Sequence, residues 1–443
     1  MNRSPLRQIG RWLMLAAAVG LVWPGGNDLS LPVILPALSP CIALGSVISA
    51  KTVSMVTLLA WPVLFLAMFS PRWFCRYGCP MGLVQEVLER VGTKKTARGS
   101  RCPMIGPWLV WGAFGGAALG YPIFLWLDPL AMFNGFLNVW REPFRIAALL
   151  AGIGMPLVLM LGLVAPRVWC QSICPLGAMQ DLLVWPRRWF RFRTHGATPD
   201  RVITETESSP RRRWFLAACA GAASAWTVKV VQANPALVLR PPGALDELHF
   251  TGICVRCGNC ARACPSKIIE PDFGVSGLAG FLTPRLRFDQ DYCREDCHRC
   301  NRVCPSGAIA RLGLSDKRRH VIGWAKIDAS LCLLARGREC TACIRKCPFQ
   351  AIVMHSADGG FSNEPRILFE RCNGCGACEA VCPTRPARAI QVVARSQAIA
   401  ATARAIPQKQ GEKAVGGRYT AELRGGPQFW RERRPDNLEL AGG

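Results

Sequence analysis

Sixteen of the chain's 23 cysteines fall into four consecutive blocks, each closing on the same C-x2-C-x3-C-P run. The blocks are Cys254/Cys257/Cys260/Cys264, Cys293/Cys297/Cys300/Cys304, Cys332/Cys340/Cys343/Cys347 and Cys372/Cys375/Cys378/Cys382. Three thiolates this close hold three corners of an iron–sulfur cubane, and the fourth, followed by proline, reaches across to a neighbouring cluster. Four runs imply four 4Fe–4S clusters arranged as two pairs, with the sixteen cysteines as metal ligands. Clusters in series support one chemistry, the passage of single electrons.

Other uses of these thiols fit poorly. Structural zinc takes four ligands, usually as two C-x2-C pairs far apart. Cysteines a few residues apart are badly placed to bridge one another. Blocks one and four have ideal spacing, block two carries one extra residue (Cys-Arg-Glu-Asp-Cys), and block three has seven residues between its first two cysteines. Those longer loops reshape the first ligand's approach and allow a different potential there. His298, beside Cys297, reads as a neighbour rather than a ligand. No C-x-x-C-H occurs, so covalent c-type haem is excluded.

The elements that must position these ligands divide the chain in two. Residues 1–233 hold long apolar stretches, while 234–443 read as a polar, cysteine-rich α+β domain of ferredoxin-like type. Apolar runs at 9–25, 52–71, 103–127, 146–166 and 214–233 are candidate membrane spans. Basic residues crowd 72–101 and 167–213, whereas 26–50 has no Lys or Arg and 128–145 only Arg141 and Arg145. The excess of positive charge on the inner side places the N-terminus and both basic loops in the cytoplasm. Ser209-Pro210-Arg211-Arg212-Arg213-Trp214-Phe215-Leu216 has the form of a twin-arginine export core, and Val231-Gln232-Ala233 ends it like a cleavage site. Such export carries folded cargo, as clusters assembled in a reducing cytoplasm require. A stop-transfer helix is the alternative.

The first half contains a duplication. Residues 71–88, with Cys75 and Cys79-Pro80, match 166–183, with Cys170 and Cys174-Pro175. Each copy follows a span, so two hairpins should pack as an all-α four-helix transmembrane bundle that gathers the four thiols near the inner surface. They could bind a further cluster or metal, or act as redox thiols; a purely structural C-x3-C-P turn is the plain alternative. Cys41, Cys102 and Cys219 follow no pattern and are expected to pack as small apolar side chains.

On these motifs the first half resembles the NapH type of membrane ferredoxin proteins, and the second is similar to the exported NapG type; MauN and MauM resemble the same pair. The resemblance covers about residues 9–392. It implies a bacterial inner-membrane protein with a periplasmic cluster domain. It also implies a quinol dehydrogenase role, in which electrons pass from the quinone pool to a periplasmic oxidoreductase, such as nitrate reductase, or to a cytochrome. NapH-type proteins carry cytoplasmic ferredoxin motifs after the fourth helix, whereas 184–210 here lacks cysteine. The expected organisation is a membrane domain at 1–190, a linker with the twin-arginine segment at 191–233, a tetra-cluster domain at 234–392 and a flexible tail at 393–443. Asp128 before Pro129 reads as a helix cap.

The net charge of +25 divides into +14 on residues 1–233 and +11 on 234–443. Four oxidised cubanes with their thiolates offset about −8 of the latter, so no nucleic-acid partner is implied. No Walker loop, Rossmann fingerprint or Ser/His/Asp set supports hydrolysis, NTP use or NAD(P) binding. Two other functions remain open: an assembly or maturation factor for a periplasmic redox enzyme, and a redox regulator. Cluster pairing is also open, with the first block served by the fourth and the second by the third, or sequentially.

Overall fold

The computed structural model describes residues 5–23, 31–91, 103–140, 149, 152–184, 210–231, 238–357 and 362–394; Cys102, most of the basic linker and the tail from 395 lie outside them. The N-terminal half is helical: α1 (Pro5–Val22), α2 (Ile34–Ala37), α3 (Pro40–Ala50), α4 (Trp61–Phe69), α5 (Trp73–Tyr77), α6 (Pro80–Val91), α7 (Gly106–Ala118), α8 (Pro129–Val139), α9 (Gly154–Val164), α10 over 175–184 and α11 (Pro210–Val231).

These helices correct the expected bundle of continuous spans. Among the described residues no single helix is both long and apolar enough to cross a membrane. One bent pair, Leu31–Ala37 with Pro40–Ala50 at 86°, passes by length and composition. Proline and glycine break the runs that average hydropathy joins. The 52–71 run becomes a tight turn at Thr57–Ala60 followed by α4, with a proline in its first turn. The 103–127 run is α-helical only through α7, then turns at Gly120 with φ 84°. Conversely, stretches expected as loops at 26–50 and 128–145 hold α2, α3 and α8. Ser39 and Asp128 are extended (ψ 119° and 126°) because each precedes a proline, and that proline starts the helix. Asp128 accepts from the Leu130 and Ala131 amides at 2.9 and 3.4 Å, the capping role expected of it.

The duplication is visible in the backbone. Arg72 and Arg167 both take left-handed φ, 53° and 64°. The Cys79 amide donates to the Phe74 carbonyl at 2.9 Å, and the Cys174 amide to the Trp169 carbonyl at 2.7 Å. A Cβ on Gly82 or Gly177 would meet the Cys75 or Cys170 carbonyl at 3.2 or 3.3 Å, so both glycines admit the same close approach.

Residues 238–394 are built twice on one plan, from β1 (Ile269–Pro271), β2 (Pro284–Leu286), β3 (Trp324–Ile327), β4 (Ile352–Ala357), β5 (Ser362–Ile367) and β6 (Ile390–Val393). The bridge Ala244–Ile309 closes blocks one and two into a unit. The β3–β6 pair, with Trp324 opposite Val393 and Ile327 opposite Ile390, closes blocks three and four. A hairpin separates the blocks inside each unit, β1–β2 in the first and β4–β5 in the second, each antiparallel. Ile268, Leu286 and Phe288 fill the first core, and Ala325, Ile352 and Ile390 the second.

Candidate iron–sulfur centres

The third cysteine of each block lies on a short helix: Cys260 in Asn259–Ala263, Cys300 in Arg299–Arg302, Cys343 in Ala342–Lys346 and Cys378 in Ala377–Val381. The next cysteine precedes a proline, which disfavours helical backbone there. Cys264, Cys347 and Cys382 accordingly turn extended, with ψ 113°, 111° and 124°. The fourth thiol thus leaves its own block.

Where it goes settles the pairing as sequential. Cys304 lies in the field of Cys254, Cys257 and Cys260, beside a cavity of about 250 Å³ that Cys264 also lines. Cys264 lies in the field of Cys293, Cys297 and Cys300. Cys382 lines a second cavity with Cys332, Cys340 and Cys343. Cys347 lines a third with Cys372, Cys375 and Cys378. The nested alternative therefore fails, since the segments that close each unit flank adjacent blocks.

These four donor sets fit cubane clusters. Burial, and then the neighbouring Cys332 and Cys340, push the Cys343 thiol up to about 11. Burial, and then Cys347 and Cys372, push Cys375 up to about 12. Thiols so crowded and dry ionise together only around cations, and iron supplies them. Each fourth thiol also meets backbone donors in its Cys-Pro loop. The Ile309 amide donates to Cys304 Sγ at 3.4 Å and the Ala351 amide to Cys347 Sγ at 3.3 Å. Ile268, Ser266 and Lys267 donate to Cys264. At Cys382 burial is opposed by donation from Thr384, Ile390 and Ala389, which brings the thiol below its ordinary range. Such N–H groups neutralise part of a cluster's negative charge and help set its potential.

Three features escaped the sequence reading. Lys317 is 1% exposed, its ammonium donates to the Arg294 carbonyl, and it lies beside the Cys293 thiol. A lysine is buried this fully only beside negative charge, which a cluster provides. Arg256 donates to the Phe281 and Ala279 carbonyls at 2.7 and 3.0 Å and stacks over Trp126 at 5.3 Å. Most consequential is a clamp of amides. Asn134 and Asn138, one turn apart on α8, donate to the Cys257 carbonyl at 3.0 and 2.8 Å and to Asn259 Oδ1 at 2.7 and 3.1 Å. Asn259 in turn donates to the Pro32 carbonyl at 3.2 Å. The signal was present in principle, two asparagines four apart in an apolar helix. Around the clamp, Val33, Ala37 and Val56 pack on Ala263 and Val303, and Ile42, Leu125 and Ala131 on Val255 and Cys257. Block one is thereby seated on the N-terminal half.

Cys75, Cys79, Cys170 and Cys174 are also brought together. Cys174 lies in the field of the other three, within the same helical core as Phe74 and Leu176. Gln180 donates to Cys75 Sγ at 3.3 Å while accepting from the Phe74 amide at 3.1 Å. Arg72 pairs with Asp181 and donates to the Cys170 carbonyl, tying the two copies together. Among the described residues no three His, Cys, Asp or Glu side chains converge as ligands of a single ion. Cys41 packs in an apolar core, as expected, while Cys219 is exposed.

The 4Fe–4S dicluster domain family matches residues 253–308 and again 338–386, one match on each unit. A 4Fe–4S binding domain family matches 52–98 and 147–193, one match on each copy of the duplication. The methylamine utilization ferredoxin-type protein MauM of Methylobacillus flagellatus is 38% identical over 170 residues, which are 37% of this chain and 71% of MauM. The chain belongs to the MauM family of ferredoxin-type proteins. Within this ferredoxin-type group, NapF of Escherichia coli is 31% identical over 33% of the chain and 80% of NapF. NapG of the same organism is 36% identical over 32% of the chain and 65% of its own length. No solved structure matches the chain. A ferredoxin-type protein with four such centres, two by two, is built to pass electrons one at a time.

Proposed function

We propose that the chain is a membrane-bound relay, which takes electrons from quinol on its N-terminal half and delivers them through the four centres to a periplasmic oxidoreductase or cytochrome. The observation that carries this reading is the Asn134–Asn138 clamp, which seats Cys257 and its block against the apolar helices. The N-terminal half also presents an apolar exterior: Trp61, Phe65, Met68 and Phe69 on α4, Leu157, Met160, Leu163 and Val164 on α9, and Phe215, Leu216 and Trp226 on α11 are exposed. Apolar surface of this size marks a contact face, and in this reading lipid covers it. In this reading residues 1–190 form a NapH-like membrane domain and 234–394 the cluster domain on the periplasmic side of the bacterial inner membrane, the strand β6 carrying that domain past the expected boundary at 392. The twin-arginine stretch opens α11, and α11 stays attached as an anchor. Its packing supports this, because a Cβ on Gly221 would lie 2.0 Å from the Gly112 carbonyl oxygen and one on Gly115 2.0 Å from that of Ala218. The grouped thiols Cys75, Cys79, Cys170 and Cys174 are the candidate seat of a further cluster or a redox-active thiol set.

When loaded, each centre accepts and releases one electron. The chain's own part is to space the thiolates, exclude water around them and fix the first block at the surface where quinol arrives. The test uses anaerobic, detergent-purified protein, retained as one chain of 48.5 kDa. Menaquinol and then ubiquinol are added, and reduction is followed by electron paramagnetic resonance. Rapid reduction, lost when residues 1–233 are removed, is expected. Centres that dithionite reduces and neither quinol does would end this reading and favour the assembly factor.

A further inference from the structure

The contacts between blocks order the four sites differently from the sequence. The clamp holds the loop of Cys257, so the site of Cys254, Cys257, Cys260 and Cys304 faces the N-terminal half. Its unit partner is the site of Cys293, Cys297, Cys300 and Cys264. From there the Cys293 amide donates to the Cys375 carbonyl at 2.9 Å, so block four follows block two directly. Nearby, Lys346 lies over the Tyr292 ring at 5.4 Å. Block three, the unit partner of block four, comes last. The contacts named above between the two halves all fall on blocks one and two.

At this far end the seven-residue loop of block three forms a compact turn. The Arg336 amide donates to the Cys332 carbonyl at 3.1 Å and the Arg338 amide to the Leu333 carbonyl at 2.9 Å. Between them Gly337, φ 74°, has open space where a Cβ would stand. Arg336, Arg338, Arg345 and Arg385 are exposed on the segments that line the site, with Asp328, Glu339 and Glu364 the exposed acids beside them. Arg385 donates to the Cys382 and Thr384 carbonyls at 2.8 Å each, which holds its charge over the Cys-Pro loop. Leu331, 36% exposed, and Pro383 supply apolar surface inside the basic frame.

We propose that electrons leave at block three, through this arginine-framed face, to a redox protein whose docking surface is acidic. The inference rests on the relay reading for its direction of flow. A cationic frame around an apolar centre attracts an anionic partner from a distance and orients it for close approach. The longer loop of block three carries Arg336 and Arg338 to that frame, which gives the irregular spacing a use.

The test reoxidises the full-length protein after reduction with dithionite and removal of excess. Two probes of opposite charge are compared by stopped flow, ferricyanide and tris(phenanthroline)cobalt(III). For each ferricyanide, one electron leaves the chain and ferrocyanide forms, with no bond made or broken and no proton moved. R336E/R338E is expected to slow ferricyanide about tenfold at low salt and to leave the cobalt probe undiminished. The control pair R318E/R319E, also exposed, on the helix Leu314–Arg319, is expected to change neither by more than about twofold. A readout independent of rate uses the anionic relaxation agent chromium(III) trisoxalate. It should shorten spin relaxation most in the signal that Cys340→Ser removes, and R336E/R338E should cancel the effect. Equal slowing by the control pair, or a chromium effect centred on the first block's signal, overturns the proposal. Quinol-driven reduction is measured on the same variants. A normal quinol step without charge sensitivity sinks the exit alone, whereas a failed quinol step with charge sensitivity intact sinks the donor alone.

Discussion

Replacing Asn259 with alanine tests the docking directly. Asn259 is 2% exposed and sits where both halves meet. Its side-chain oxygen accepts from Asn134 and Asn138, and its amide donates to the Pro32 carbonyl. The substitution removes three hydrogen bonds and leaves buried amide groups without their partners. At about 1 kcal/mol each the loss is about 3 kcal/mol. The Cys257 carbonyl still accepts from both asparagines, so the interface loosens rather than separates. Since 1.4 kcal/mol is tenfold, local opening should become about 100 times more frequent. Hydrogen exchange read by mass spectrometry should show this at 129–139 and 255–263, with the β3–β6 region unchanged as an internal reference. Quinol-driven reduction should fall while dithionite reduction persists. Exchange at 129–139 that accelerates less than about threefold would show that the apolar contacts of Val33, Ile42 and Leu125 hold the joint without the clamp, and the energetic argument would be wrong.

Two further outcomes follow from the geometry. Cys264→Ala should abolish the paramagnetic signal of the site containing Cys293, Cys297 and Cys300 and spare that of Cys372, Cys375 and Cys378; loss of the latter would restore the nested pairing. His320 supplies the pH dependence. Its Nε2 accepts from the Gly243 amide at 3.0 Å, and burial holds the imidazole below its ordinary range. A proton is therefore bound more readily in the unfolded chain, so the contribution of His320 is complete above about pH 6.5 and is lost as pH falls through the depressed folded value. Thermal stability of the full chain should fall between neutral and mildly acidic pH, and His320→Gln should flatten that component; an unchanged slope would place the titration elsewhere.

The cluster ligands were legible because their rule is local. Two thiols three residues apart and a third, four residues on and extended before its proline, form one unit of backbone geometry, repeated at Cys264, Cys347 and Cys382. The pairing was not legible in the same way. It depends on the one-residue bridge Ala244–Ile309 and the four-residue strands β3 and β6, too short to announce themselves by alternation. The helices failed in a different manner. A hydropathy window averages over Pro62 and Gly120 as though they were any other residues, yet these positions decide where hydrogen bonding stops. It also read 26–50 and 128–145 as loops, although 29–50 and 129–140 have no charged residue to keep them in water.

What was missed at Asn134, Asn138 and Lys317 has a common cause. Each is a polar side chain whose partner lies more than 20 residues away, so no pattern within its own helix explains it. A buried asparagine pair is costly unless something distant satisfies it, and here the distant group is the carbonyl of a cluster ligand. A buried lysine is costlier still, and its neighbour is the thiol of another. The polar residues that look misplaced in the sequence are therefore those that bind one half of the chain to the other or to its centres. The same reasoning makes the backbone bond from Cys293 to Cys375 more than a packing detail, because it fixes which site follows which. Sequence order runs one, two, three, four, but the order of contact runs one, two, four, three, and only the second order carries an electron from the docked end to the arginine-framed one.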